Sequence, residues 1–164
     1  MANVFNIAKL QIANGSMDLD TDQFDCLLFT ASPAATLTSA HYDLDDVAAV
    51  KADAAFTEAS HSSYTTTTNG RRAVSSLTAT ENTGSDIIEV TFTADGNGGI
   101  ATWTSVSNET YTGLLVYKRS SALGSANDAT AVPLCFCDLT SDVVTNGGDV
   151  TITFASDILL TLGN

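Results

Sequence analysis

The stretch "TNGGDVTITFASDILLTL" (residues 145–162) limits the fold more tightly than any other. Val150, Ile152 and Phe154 alternate with Thr151 and Thr153. A period of two puts the apolar side chains on one face of a strand and the hydroxyls on the other. Asn146-Gly147-Gly148 supplies a turn before it, and "DILLTL" follows as a last short strand. The same grammar runs back through the second half of the chain. In "IIEVTFT", Ile88, Val90 and Phe92 share one face, and Glu89, Thr91 and Thr93 the other. "ADGNGG" then reads as a hairpin turn. "IATWTSV", "TGLLVYK" and "VPLCFCDL" are further strand candidates, with Pro133 near a strand start, where its missing N–H is tolerated. Short strands with regular turn punctuation predict a mainly β chain, an antiparallel β-sandwich or jelly-roll-like barrel.

The first half is written differently. Val4, Phe5, Ile7, Ala8, Leu10 and Ile12 suit a short amphipathic helix, with Asn14-Gly15 as its stop. "FDCLLF" is almost wholly apolar and reads as a strand covered on both faces. "ASPAATLTSAHY" reads as loop. Residues 43–56 have helical composition, with an Asp-rich first turn that suits the helix dipole. "TEASHSSYTTTTNG" and "RSSALGSANDATA" read as polar loops, the first too polar to pack. No internal repeat or interdomain linker is visible. The expectation is one β-sandwich domain over residues 1–164, with one or two short helices near the N-terminus and a helical arm at about residues 1–15.

Charge narrows the partners. The chain of 164 residues carries nineteen Asp and Glu against six Lys and Arg, a net charge of −13. Such a surface repels phosphate backbones and anionic membranes, so neither nucleic acid nor membrane is an expected partner. Only 15% of residues are charged, so Thr, Ser and Asn must supply most of the polar skin. The beginning, "MANVFNIAKLQIANG", lacks a basic start and an unbroken apolar run, so the chain is expected to fold in a cytoplasm. The Asn-Gly-Ser and Asn-Glu-Thr sequons at Asn14 and Asn108 are then chance matches.

Asp18, Asp20 and Asp22 are spaced like the first ligands of a calcium loop. The sixth and twelfth positions of such a loop need Gly and Glu, but Gln23 and Phe29 stand there. A continuous strand would also bury all three carboxylates on the face of Phe24, Cys26 and Leu28, at high cost. A solvated acidic turn is therefore expected, with the buried strand starting after Asp22. An irregular surface ion site is the competing reading.

No other group of residues makes a coherent site. Cys135 and Cys137 would lie on one strand face, too awkwardly spaced for a disulfide, and with Cys26 could begin a zinc site. Buried thiols acting as small hydrophobes are the simpler reading. His41 and His61 fall in or beside polar loops, and replacing both is expected to change nothing measurable. A Ser-His-Asp set needs geometry that no local signature announces. Glu58, Glu81, Glu89 and Glu109 are scattered, and nothing selects a pair for glycosidic chemistry. Trp103, Tyr111 and Tyr117 fit core or interface packing better than a sugar platform. No catalytic, metal or cofactor residue is assigned.

Several segments together carry a resemblance. "NGSMDLDTDQFDCLLF", "HYDLDDV", "VTFTADGNGGIATWTSVSNETYTGLLVYK" and "TNGGDVTITFASDILLTL" resemble, in order and spacing, a widespread family of small virion structural proteins of tailed bacteriophages. The block from Trp103 to Tyr117 and the Asn-Gly-Gly segment are its most specific parts. The resemblance implies a non-enzymatic particle component without cofactors. It implies a capsid decoration (cement) protein on the outside of an icosahedral head, clamping the major capsid protein, commonly as a homotrimer, after assembly in the host bacterial cytoplasm. Trp103, Tyr111, Tyr117, Gly147 and Gly148 are then structural positions. A phage tail or fibre component is the alternative within the family. A β-sandwich carbohydrate-binding module and a hydrolase are the alternatives outside it. The family ending resembles a strand, a small polar break and a short apolar strand. "FASDILLTL" fits this, although Ser156-Asp157 stands where a glycine is expected.

Overall fold

A computed structural model describes residues 3–31, 37–60, 64, 70–74, 76–94, 96–106, 108–121 and 125–163. The fold is mainly β, with several antiparallel sheets and short helices, compatible with the expected sandwich. The largest sheet is built around β2 (Phe24–Ala31), β8 (Thr110–Lys118) and β9 (Val132–Val144), with β1 (Asn3–Val4), β3 (Thr57–Glu58) and β4 (Arg72–Ala73) as short edge pieces. Its order is β1-β9-β8-β2-β3, and β4 also pairs with β2. A three-stranded sheet has the order β11 (Ile158–Gly163), β6 (Ile87–Phe92), β5 (Leu77–Asn82). A two-stranded ladder joins β7 (Ala101–Trp103) to β10 (Val150–Ile152). Every one of these pairings is antiparallel.

The apolar run "FDCLLF" becomes β2, buried along all six residues and flanked by β8 on one edge and β3 and β4 on the other. It starts at Phe24, after the acidic turn, as the parity of the aspartates required. The alternation in β10 also holds: Val150 and Ile152 are buried and Thr151 is half-buried. In β6, Val90 and Phe92 are buried, but Ile88 lies beyond the core and is 43% exposed. Pro133 sits where the β8–β9 register shifts, the kind of irregularity that tolerates a missing donor.

The expected hairpin at "ADGNGG" does not form. β6 pairs with β5 and β11, whereas β7 pairs with β10, so this segment crosses between sheets; Asp95 lies outside the described residues. Its glycine is needed for close approach instead. A Cβ on Gly99 would lie 2.4 Å from the Ile152 carbonyl oxygen, beside the bond that Ile100 N–H donates to that oxygen. The strand β5 was not legible, because only Leu77 of "LTATEN" is buried and no alternation survives.

The helices also differ from expectation. α1 (Asn6–Ala13) ends at Asn14 as predicted, with Ala8 buried and Phe5 N–H bonded to the Leu134 carbonyl of β9. A helix expected over 43–56 is shortened to α3 (Val47–Ala52), whose N-cap Asp46 accepts from Ala49 N–H at 2.7 Å. The acidic residues before it are capping and loop residues, not a helical first turn. An extra turn, α2 (Ser39–Tyr42), forms inside the segment read as loop.

Before β11, Ser156 and Asp157 both take left-handed backbone, with φ of 58° and 57°. Such backbone favours glycine, the residue that the resemblance leads one to expect nearby. An L-residue in this region costs about 1–2 kcal/mol, and Gly returns some of that as unfolded-chain entropy. Ser156→Gly is therefore expected to stabilise the fold by about 0.5–1 kcal/mol, read as a raised urea midpoint.

Candidate functional site

Among the described residues, the most concentrated polar chemistry is a buried ion cluster that the sequence did not announce. Arg71 is fully buried at the end of the Ser/Thr-rich stretch. Its guanidinium donates to both oxygens of Glu58, from Nε at 2.8 Å and Nη2 at 2.9 Å. It also donates to both oxygens of Asp128, from Nη1 at 2.5 Å and Nη2 at 3.0 Å. Lys51 Nζ closes the ring, 2.9 Å from Glu58 Oε2 and 2.8 Å from Asp128 Oδ2. Two cations thus meet two carboxylates. Nη1 further reaches the Tyr117 hydroxyl at 3.3 Å, and the guanidinium lies 5.5 Å from the Tyr117 ring centroid.

Each member comes from a different element: α3, β3, the chain beside β4, the 3-10 segment Ser125–Thr130, and β8. The cluster therefore ties loops to the main sheet. Burial alone would pull the Arg71 and Lys51 pKa values down, but the Glu58 and Asp128 carboxylates raise both. Burial would likewise raise Asp128, yet Arg71 and Lys51 hold it below the ordinary carboxylate value. For Arg71, Lys51 and Asp128, opposite charge outweighs desolvation. Bidentate pairing on two sides saturates the guanidinium, so it has no donor fork left for a substrate anion. This geometry suits a structural knot.

The Ser/Thr-rich loop was expected to be too polar to pack, and this needs correction. Ala59 and Tyr64 are buried. The Tyr64 hydroxyl accepts from Leu28 N–H at 3.1 Å, and Ala59 N–H donates to the Leu28 carbonyl at 2.9 Å. They satisfy the edge of β2 between its pairings with β4 and β3. A buried edge donor needs such a partner.

Asp25 is a second buried charge. It faces Tyr117 across the β2–β8 ladder and is fully buried. Arg119 Nη2 approaches Oδ1 at 2.7 Å, but neither carboxylate oxygen receives a well-aligned hydrogen bond. Burial pushes its pKa up to about 6, against the pull of Arg119 and Arg71.

His41 is not the exposed loop histidine expected. Its ring packs edge-on to Phe56, 5.6 Å between centroids, and Nδ1 accepts Thr38 N–H at 3.0 Å in a capping box for α2. Phe56 in turn packs on Phe29 and Phe136. His41→Ala should therefore cost about 1–2 kcal/mol, through a lost cap and a lost ring contact, as measured by thermal melting. No change in melting would restore the reading as an inert loop residue. His61 lies outside the described residues.

The acidic turn is held by its own backbone. Asp18 Oδ1 accepts from Asp20 and Thr21 N–H, Asp22 Oδ2 accepts from Asp18 N–H, and Lys118 pairs with Asp22 at 2.7 Å. Hydrogen bonds from Thr21 and Asp20 lower the Asp18 pKa. Asp20 Oδ1 accepts Ala79 N–H on the edge strand β5. Among the described residues no group of His, Cys, Asp and Glu has the arrangement of a metal site. The three cysteines are free and buried on strands, with Cys26 and Cys135 flanking Val116 from opposite sides.

Trp103, Tyr111 and Tyr117 are all core residues, exposed by 1% or less. Trp103 Nε1–H donates to the Gly70 carbonyl, which ties the β7 ladder to the chain carrying Arg71. Residues 103–106 and 148–150, distant in sequence, fold onto each other. Trp103 pairs with Val150, Ser105 N–H donates to Asp149 at 2.9 Å, and Val106 N–H donates to the Gly148 carbonyl at 2.9 Å. Gly147 holds φ at +92°, which favours glycine in that turn. Comparison with protein-family models, with curated proteins and with solved structures gave no match.

Proposed function

We propose that this chain is a structural component of a tailed-bacteriophage particle, a decoration protein that binds the outer face of the head and stabilises it. The observation that carries the reading is the mutual packing of residues 103–106 with residues 147–150. These segments, far apart in sequence, carry the most specific part of the resemblance, and they pair and hydrogen-bond with each other. Two further features support it. The charges of the Arg71 cluster are taken up by internal partners, so the cluster presents no free acid or base to a substrate. A skin of Thr and Ser loses little side-chain entropy when it is pressed against a lattice.

The carbohydrate-binding reading loses its main support, because Trp103, Tyr111 and Tyr117 have no exposed ring face to stack on a sugar. The major capsid protein is the proposed partner, with the chain acting as a homotrimer. The test is deletion of the gene from its phage and thermal challenge of the resulting heads. Heads without the protein should lose their genome at lower temperature, and the added purified protein should restore them. Protein found on tails, or heads of unchanged resistance, would rule out the decoration role. Light scattering that finds only monomer at high concentration would rule out the trimer.

A further inference from the structure

A groove of about 590 Å³ runs between α1 and β11. Val4, Ile12, Ala13 and Leu162 give it an apolar floor, and Lys9 and Tyr42 stand on its wall. Ile88, directly opposite Leu162 in the β6–β11 ladder and 43% exposed, extends the apolar surface. The charge of this groove differs from that of four other hollows among the described residues. The two beside the acidic turn carry Asp18, Asp20 and Asp22, with Arg119 in one of them, and two more carry Glu109 and Asp149. The α1–β11 groove has one charged lining residue, and it is a cation.

Lys9 is also uncommitted. Lys51, Arg71, Lys118 and Arg119 are held in internal ion pairs, and Arg72 Nε donates to the Thr102 carbonyl. Lys9 has no ion pair among the described residues, and its Nζ rests 5.6 Å from the Tyr42 ring centroid. On a chain of net charge −13, this is an isolated positive point beside an apolar trough. We propose that the groove is a docking site for a peptide segment of a partner protein, one that carries a large apolar side chain next to a carboxylate. The apolar side chain fills the trough over Leu162 and Ile12, and the carboxylate meets the Lys9 ammonium. The volume fits one or two large side chains. The assignment deepens the proposed function by naming the contact surface, and it rests on that reading only for the identity of the partner.

The test uses the whole ¹⁵N-labelled protein and two pools of N-acetylated pentapeptides. In one pool a Leu, Ile or Phe adjoins an Asp or Glu; in the other it adjoins a Lys. The acidic pool should shift the amides of Lys9, Ile12, Tyr42 and Leu162 at concentrations up to about 1 mM, and the basic pool should not. Lys9→Glu should weaken the acidic pool about fivefold or more and reverse the preference, a readout that a purely structural lysine would not give. Leu162→Asp should remove binding of the acidic pool. Equal response to both pools, or no response in the groove, overturns the assignment. So does concentration-dependent self-association that Lys9→Glu abolishes, because the occupant is then a second copy. Groove binding without head stabilisation would refute the decoration role alone, and head stabilisation without groove binding would refute this site alone.

Discussion

Arg71→Met is expected to destabilise the protein by about 3–5 kcal/mol, a large share of the roughly 5–15 kcal/mol that holds a typical domain folded. Its guanidinium pairs with both oxygens of Glu58 and both of Asp128, whereas Lys51 reaches one oxygen of each, and both carboxylates are nearly excluded from water. Removing it leaves Lys51 alone against two buried negative charges, and Lys51 is itself partly exposed. The penalty is that of stranded carboxylates, not the loss of a favourable pair, because forming such a pair roughly cancels its own desolvation. The triple variant Arg71→Met/Glu58→Gln/Asp128→Asn separates these two accounts. It removes the stranded charges together with the cation, and Lys51 can turn to solvent, so it should recover at least about half of the lost stability. Urea denaturation of the three proteins reads the result. A single variant within about 1 kcal/mol of wild type would show that the cluster is not under strain when opened.

The same cluster shows why the fold was legible from sequence and the site was not. β2, β6 and β10 are announced by local pattern, since a two-residue alternation or an unbroken apolar run needs no knowledge of the rest of the chain. Connections are different. "ADGNGG" has the residues of a hairpin, but the choice of partner for β7 depends on where Ile152 lies, some fifty residues on. Glu58, Arg71 and Asp128 are likewise ordinary charged residues in polar segments, brought together by separations of 13 and 57 residues. One signal was available. With only six cations in the chain, an Arg at the end of a Thr-rich run invites the question of what holds it. His41 was misplaced for a related reason, because its cap and its Phe56 contact arise from α2, which a loop-like composition concealed.

Asp25→Asn should stabilise the protein by about 2–3 kcal/mol at about pH 7.5, and the gain should vanish near pH 4. The folded-state pKa is about 6 against an ordinary 3.8, because burial opposes ionisation more strongly than Arg119 and Arg71 favour it. A carboxyl raised in this way binds its proton more tightly when the chain is folded. Its contribution is therefore fully present below 3.8 and is lost as pH rises through about 6. Asp128 works in the opposite sense. Held low by Arg71 and Lys51, it contributes above its ordinary value and loses that contribution as the pH falls through its lowered folded-state value. Together the two groups favour the folded state most at about pH 4, where Asp128 is ionised and Asp25 still keeps its proton. Partial neutralisation of the −13 surface pushes the same way. The asparagine keeps an oxygen facing Arg119 and carries no charge, so its profile between about pH 7 and 4 should be flatter than that of the parent. Thermal melts of both proteins across that interval decide the matter. If the two profiles run parallel, the acid-side gain belongs to surface repulsion and Asp25 titrates in the folded chain as it does in the unfolded one.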